Sequence, residues 1–132
     1  MNVYQEIGGE DGFLRLTDAF YDRVAADPLL RALFPPNMEP GKRRLALFMA
    51  ESLGGPPLWS RERRFRHLLN AHHNRDFTED ERDAWVNHML AAIEDRGITG
   101  ETRLILRDFV LSGADLALSH YPRRPIQVNV PD

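Results

Sequence analysis

Apolar positions recur along the chain with helical spacing almost everywhere. Phe13, Leu16, Phe20 and Val24 follow at intervals of 3, 4 and 4, which lays an apolar stripe on a helix expected from about Asp11 to Ala26. Tyr21 sits at the edge of that stripe. Asp27-Pro28 places a capping residue before a proline at a first helical position, opening a short turn through Leu29, Leu30, Leu33 and Phe34 that Pro35-Pro36 stops. A further helix is expected from about Pro40 to Leu53 with Leu45, Phe48, Met49 and Leu53 inward, closed by Gly54-Gly55-Pro56-Pro57. Ser60 to about His72 can form a helix with a thin stripe of Phe65, Leu68 and Leu69. Thr78 with Glu81 three residues on is a capping-box pattern that introduces Trp85, Met89 and Ile93. After Gly97 and Gly100, Leu106, Phe109, Val110, Gly113, Leu116 and Ala117 mark a last helix to about His120. No strand pattern competes, so the expected fold class is all-α.

The length of 132 residues suits one domain, expected over residues 1–121, with residues 122–132 an extended or disordered tail carrying Pro122, Pro125 and Pro131. With 42% hydrophobic and 28% charged residues the chain should bury a real core. No apolar run approaches the roughly 18 to 20 residues that span a bilayer, and the N-terminus lacks the build of a signal peptide, so the expected location is cytoplasmic and away from membranes. The formal net charge of −3, with no long basic block beyond the interrupted Arg61 to Arg66, argues against a nucleic-acid partner. The absence of cysteine excludes disulfides, thiol nucleophiles and Cys-type metal sites.

Hydrolytic and phosphate-binding motifs are missing: there is no G-x-S-x-G, Walker loop, H-E-x-x-H or G-x-G-x-x-G. The group His67, His72 and His73 invites a metal reading, because neutral imidazole is a common ligand for transition metals. Its spacing is poor for one, since His67 and His72 stand about 140° apart round a helix. Locally they read as exposed histidines at a helix end. A haem pocket asks for less: one protein ligand to iron, apolar walls and a donor near the open face. His72 at a helix end, walls from Phe34, Leu45, Phe48 and Met89, and the donors of Tyr21 and Trp85 could supply these. Periodicity alone leaves the same residues as plain core.

The chain resembles a known family over about Tyr4 to His120. The segments that carry the likeness are Tyr4-Gln5-Glu6-Ile7-Gly8-Gly9, Phe20-Tyr21-Asp22-Arg23-Val24-Ala25-Ala26-Asp27-Pro28-Leu29 and Leu33-Phe34-Pro35. They continue through Phe48 to Leu53-Gly54-Gly55-Pro56-Pro57-Leu58-Trp59-Ser60, then Glu81-Arg82-Asp83-Ala84-Trp85 and Met89. In this order and spacing they resemble the truncated haemoglobins of group II. The resemblance implies a truncated globin fold, a two-over-two antiparallel helix sandwich around haem b. In that family the proximal histidine lies thirteen residues before an overhanging tryptophan, which implies His72 as the iron ligand opposite Trp85. Tyr21 matches the distal tyrosine, Leu45 and Phe48 match apolar distal-helix positions, and Gly41 falls where many globins place a polar gate residue.

The implied cofactor-binding set is Tyr21, Phe34, Leu45, Phe48, Leu69, His72, Phe77, Trp85 and Met89, with Tyr21 and Trp85 at the distal ligand. Where the family usually carries Arg-Gly-His-Pro ahead of the histidine, an Arg just before it and a Phe three residues after it, this chain has Arg63-Arg64-Phe65-Arg66, Ala71 and Arg75. Arg63, Arg66, His67 and Arg75 then stand as substitutes near the haem propionates. The implied function is binding of oxygen and related diatomic ligands, serving oxygen storage or nitric oxide or peroxide detoxification. Turnover would need an external reductase, because no flavin or nicotinamide motif is present. Two alternatives use the same scaffold: a haem peroxidase-like enzyme, and a haem-free interaction or sensor module. The family pattern is compatible with a monomer or a homodimer.

Overall fold

The computed structural model describes residues 2–58, 60, 77–118 and 124–131, with side chains through 114 in the last helix. Among these residues the chain is helical and contains no strand. Helix α1 (Val3–Glu6) is a single turn capped by Asn2, whose side chain accepts from the Gln5 N–H at 3.1 Å. It was not foreseen, because four residues are too few to show a period. Helix α2 (Gly9–Ala26) begins slightly ahead of the expected start, and its stripe of Phe13, Leu16, Phe20 and Val24 is fully buried. A Cβ at Gly12 would lie 1.8 Å from the Ile7 carbonyl oxygen, so the α1–α2 corner closes only on a residue without a side chain.

Helix α3 (Pro28–Arg31) carries its proline in the first turn, with the Asp27 side chain accepting from the Leu29 N–H at 2.9 Å. Leu33 and Phe34, expected within this turn, lie just past its end. Helix α4 (Glu39–Ser52) buries Ala46, Leu47, Met49 and Ala50, while Leu45, Phe48 and Leu53 are half-buried, so its inward face is rotated from the expected one. The helix expected from Ser60 to His72 lies outside the described residues except for Ser60, whose backbone N–H and hydroxyl both donate to Glu51.

Helix α5 (Glu79–Asp95) opens with the foreseen capping box: Thr78 Oγ1 accepts from the Glu81 N–H at 3.1 Å and Glu81 Oε1 accepts from the Thr78 N–H at 2.8 Å. Met89 and Ile93 are buried, but Trp85 is only half-buried, and the surprise of this helix is Arg82, 1% exposed. Its guanidinium donates to Asp83 Oδ1 and to the Arg124 carbonyl at 2.9 Å, which is how a charge is tolerated in the interior. Helix α6 (Gly100–Leu118) buries Leu106, Val110 and Ala114.

Helix α2 is the hub, packing on α4 and α5, while α5 also packs on α6 and touches α3. Residues 124–131 run without helical or strand pairing beside α5, with Ile126, Val128 and Val130 half-buried against the core. No helix among the described residues is long and apolar enough to cross a membrane.

Candidate functional site

Four aromatic rings form a row across the hub. Phe34 meets Tyr21 edge-on at 5.6 Å between centroids, Tyr21 meets Phe20 at 5.4 Å, and Phe20 meets Trp85 at 5.2 Å. The interplanar angles of 80°, 87° and 65° are those in which ring edges point at ring faces. Helix α2 supplies the two central rings because neighbours in sequence are turned by about 100°, which sends Phe20 toward α5 and Tyr21 toward α4. The row therefore joins the segment after α3 to α2 and α5.

Phe34 is fixed from outside the row. The Arg31 guanidinium donates to the carbonyls of Phe34, Pro35 and Pro36 at 3.1, 3.2 and 3.2 Å, tying the turn that carries the ring. On α5 a second tie lies three residues past Trp85, where His88 Nε2 stands 2.7 Å from Asp27 Oδ2. Asp27 thus caps α3 and holds α5 at once, and the contact with His88 keeps its carboxyl below the ordinary carboxylate range.

Tyr21 is 7% exposed, and burial pushes its phenol up to about 12, against the opposing pull of the Arg44 and Lys42 charges. The hydroxyl therefore stays protonated and able to donate. Gly41 lies beside it: a Cβ there would come 3.1 Å from the hydroxyl oxygen. Leu45 and Phe48 follow on the same face of α4 at helical spacing, and Phe48 meets Phe109 at 6.3 Å. Met89 is fully buried and Phe77 nearly so, both within the main core cluster. The structure thus brings Tyr21, Phe34 and, through Phe20, Trp85 into one row, with Gly41 at its α4 side. His72 and Leu69 lie outside the described residues, as do His67, His73 and the stretch Arg63 to Arg66.

The sequence profile of the bacterial-like globins matches residues 2–117. The chain belongs to the bacterial-like globin family, among the group II truncated haemoglobins. It is 34% identical over 119 residues to a group 2 truncated hemoglobin of Bacillus subtilis (strain 168), covering 90% of this chain and 87% of the relative. Among solved structures it is similar to the hemoglobin of the thermophilic phototrophic bacterium Chloroflexus aurantiacus, with 39% identity and a TM-score of 0.84 over 92% of this chain and 99% of that one. The group II truncated hemoglobin of Bacillus anthracis superposes with the same TM-score of 0.84 at 28% identity, covering 93% and 99%.

For a truncated haemoglobin two side chains in the row carry an unmet demand. Among the described residues neither the Tyr21 hydroxyl nor the Trp85 indole N–H has a hydrogen-bond partner, although Tyr21 is buried. Buried polar groups are rarely left unpaired, which makes the buried Tyr21 hydroxyl an exception that calls for a partner. The sequence singles out Tyr21 and Trp85 but not Phe20, the ring between them, because its place in the α2 stripe already accounts for it as core. It also passes over Arg44, whose signal is its position three residues after Gly41, and Arg31, whose three carbonyl contacts leave no trace in a local pattern.

Proposed function

We propose that this truncated haemoglobin holds haem b through His72 and takes up oxygen and related diatomic ligands on the side of Tyr21 and Trp85. When bound, haem would supply an iron able to take up a diatomic gas. The chain's own residues do the rest. Tyr21, protonated throughout the physiological range, and Trp85 offer two N–H or O–H donors to a polar ligand; Phe34, Leu45, Phe48, Leu69, Phe77 and Met89 provide apolar walls that keep water out. Gly41 leaves the approach to the Tyr21 hydroxyl unblocked by a side chain. The same arrangement would serve a storage role, or nitric oxide or peroxide removal with electrons from a separate cytoplasmic reductase.

The observation that carries this reading is the pair of donors without a hydrogen-bond partner among the described residues, at the ends of one ring-to-ring contact path, in a chain of globin family. Absorption spectra of the purified protein, as isolated, reduced, and exposed to oxygen and carbon monoxide, test it. A Soret band that shifts with each gas is expected. It should be lost in His72→Ala and kept in His73→Ala. No band after haem titration overturns the reading in favour of a haem-free module, and equal loss in both variants overturns the ligand assignment. Prompt peroxide turnover in place of slow bleaching would move the function to a peroxidase.

A further inference from the structure

Residues 124–131 are bound to the first half of α5 and, at their far end, to α6. The Arg124 backbone N–H donates to Glu79 at 2.7 Å and its guanidinium reaches Asp80 at 2.8 Å and Asp83 at 2.5 Å, gathering three carboxylates of the first two turns around one cation. Four residues on, the Asn87 carboxamide donates to the Gln127 carbonyl at 2.8 Å and accepts from the Asn129 N–H at 2.6 Å. It thus pairs with residues i and i+2 of an extended chain as a neighbouring strand would. At the far end Arg103 of α6 donates to the Pro131 carbonyl at 2.7 Å and also to Glu94 of α5. Burial alternates along the segment, with Ile126, Val128 and Val130 turned toward the core and Pro125, Gln127 and Asn129 exposed. The lengths match: the 17 residues of α5 rise about 25 Å as a helix, and eight extended residues cover about 26 Å.

Trp85 lies about 200° round the helix from both Asp83 and Asn87, so these two contacts hold α5 from the side away from the indole, while Arg82, about 60° from Trp85, donates to the Arg124 carbonyl. The indole itself has one ring contact, with Phe20, and no hydrogen bond among the described residues. Its direction is therefore set by where α5 sits. We propose that the C-terminal segment 124–131 is a strap that positions Trp85, so that Arg124 and Asn87, remote from the pocket, govern how firmly the indole N–H meets a bound ligand. This rests on the reading of Trp85 as a ligand donor.

The test uses a Trp59→Phe background, which leaves Trp85 as the only one of the two tryptophans. A chain ending at residue 123, Asn87→Ala, Arg124→Ala and Arg124→Lys are compared. Without added haem, Trp85 emission should shift to the red and its near-ultraviolet circular dichroism weaken in the first three variants, with partial return in Arg124→Lys. With haem loaded, diatomic ligand dissociation should become roughly three- to tenfold faster, the scale of one weakened hydrogen bond. That acceleration should vanish when Trp85→Phe is added. Unchanged Trp85 emission with helical dichroism retained overturns the proposal, as does equal acceleration in the Trp85→Phe background. If the shortened chain loses its helical dichroism, Asn87→Ala decides by the same two readouts. A chain that takes no haem overturns the proposed function, while the emission comparison still decides the strap.

Discussion

Gly41 faces the Tyr21 hydroxyl across the α2–α4 packing, where a Cβ at position 41 would stand 3.1 Å from the phenol oxygen. A side chain at this position would fit only tightly against the phenol. Gly41→Ala gains about 0.5–1 kcal/mol of helix propensity and asks the phenol to move by a few tenths of an ångström. Thermal unfolding should therefore stay level or rise slightly, while ligand dissociation from the loaded protein speeds up as the hydroxyl is displaced. A marked fall in melting temperature would mean that Tyr21 cannot yield.

The buried phenol also ties stability to alkaline pH. Its pKa is raised from the ordinary 10 to about 12 in the folded chain. The unfolded chain thus releases its proton first, and the stabilisation is complete below pH 10 and lost as pH climbs through 12. The whole effect is on the order of 2 kcal/mol. Denaturant unfolding followed across this window should show wild type losing stability that Tyr21→Phe retains, and phenolate absorbance should show one late-titrating tyrosine missing from the variant. Identical alkaline profiles would contradict the burial of the hydroxyl.

Arg31 should behave as a support for the ring row although it touches none of the rings. Three carbonyls, of Phe34, Pro35 and Pro36, depend on its guanidinium fork. Arg31→Lys offers a single ammonium in place of that planar fork and should fail to restore what Arg31→Ala loses. Both variants are expected to lose about 1 kcal/mol in stability and to broaden the Tyr21 environment in aromatic nuclear magnetic resonance spectra. Full rescue by lysine would show that charge alone, and not the fork, holds the turn.

What could be read from sequence was whatever repeats. The stripe Phe13, Leu16, Phe20 and Val24 was legible because burial of one helix face writes its period into the chain, and the Thr78–Glu81 capping box because both partners sit three residues apart. Arg82 was not legible: its burial depends on the carbonyl of Arg124, 42 residues away, and a guanidinium in isolation reads as surface. Tyr21 could be placed beside the stripe, but its raised pKa and its place facing Gly41 come from packing of two helices that no local window contains. The docking of residues 124–131 rests partly on main-chain atoms meeting the Asn87 amide, which any sequence could provide, and partly on Arg124 meeting carboxylates more than 40 residues away, which no local window contains. The alternation of Ile126, Val128 and Val130 was the one visible sign of it.

The link between Asp27 and His88 gives the opposite end of the pH scale its own signature. His88 first, then the Leu29 N–H among lesser contacts, holds the Asp27 carboxyl below its ordinary value of 3.8. A depressed folded pKa means that the unfolded chain takes up the proton first, so the contribution is present above about that value and fades as pH falls through the folded one. Asp27→Asn keeps a capping oxygen for α3 but removes the charge opposite His88. Near neutrality the variant should be less stable by about 1 kcal/mol, a modest figure because the pair is partly open to solvent. The two proteins should converge in stability as the medium is acidified, since wild type then loses the charge that the variant never had. His88→Gln should produce the same convergence, because removing either partner ends the same interaction. A gap between wild type and Asp27→Asn that persists in acid would place its origin in the cap of α3 and not in the bridge to α5.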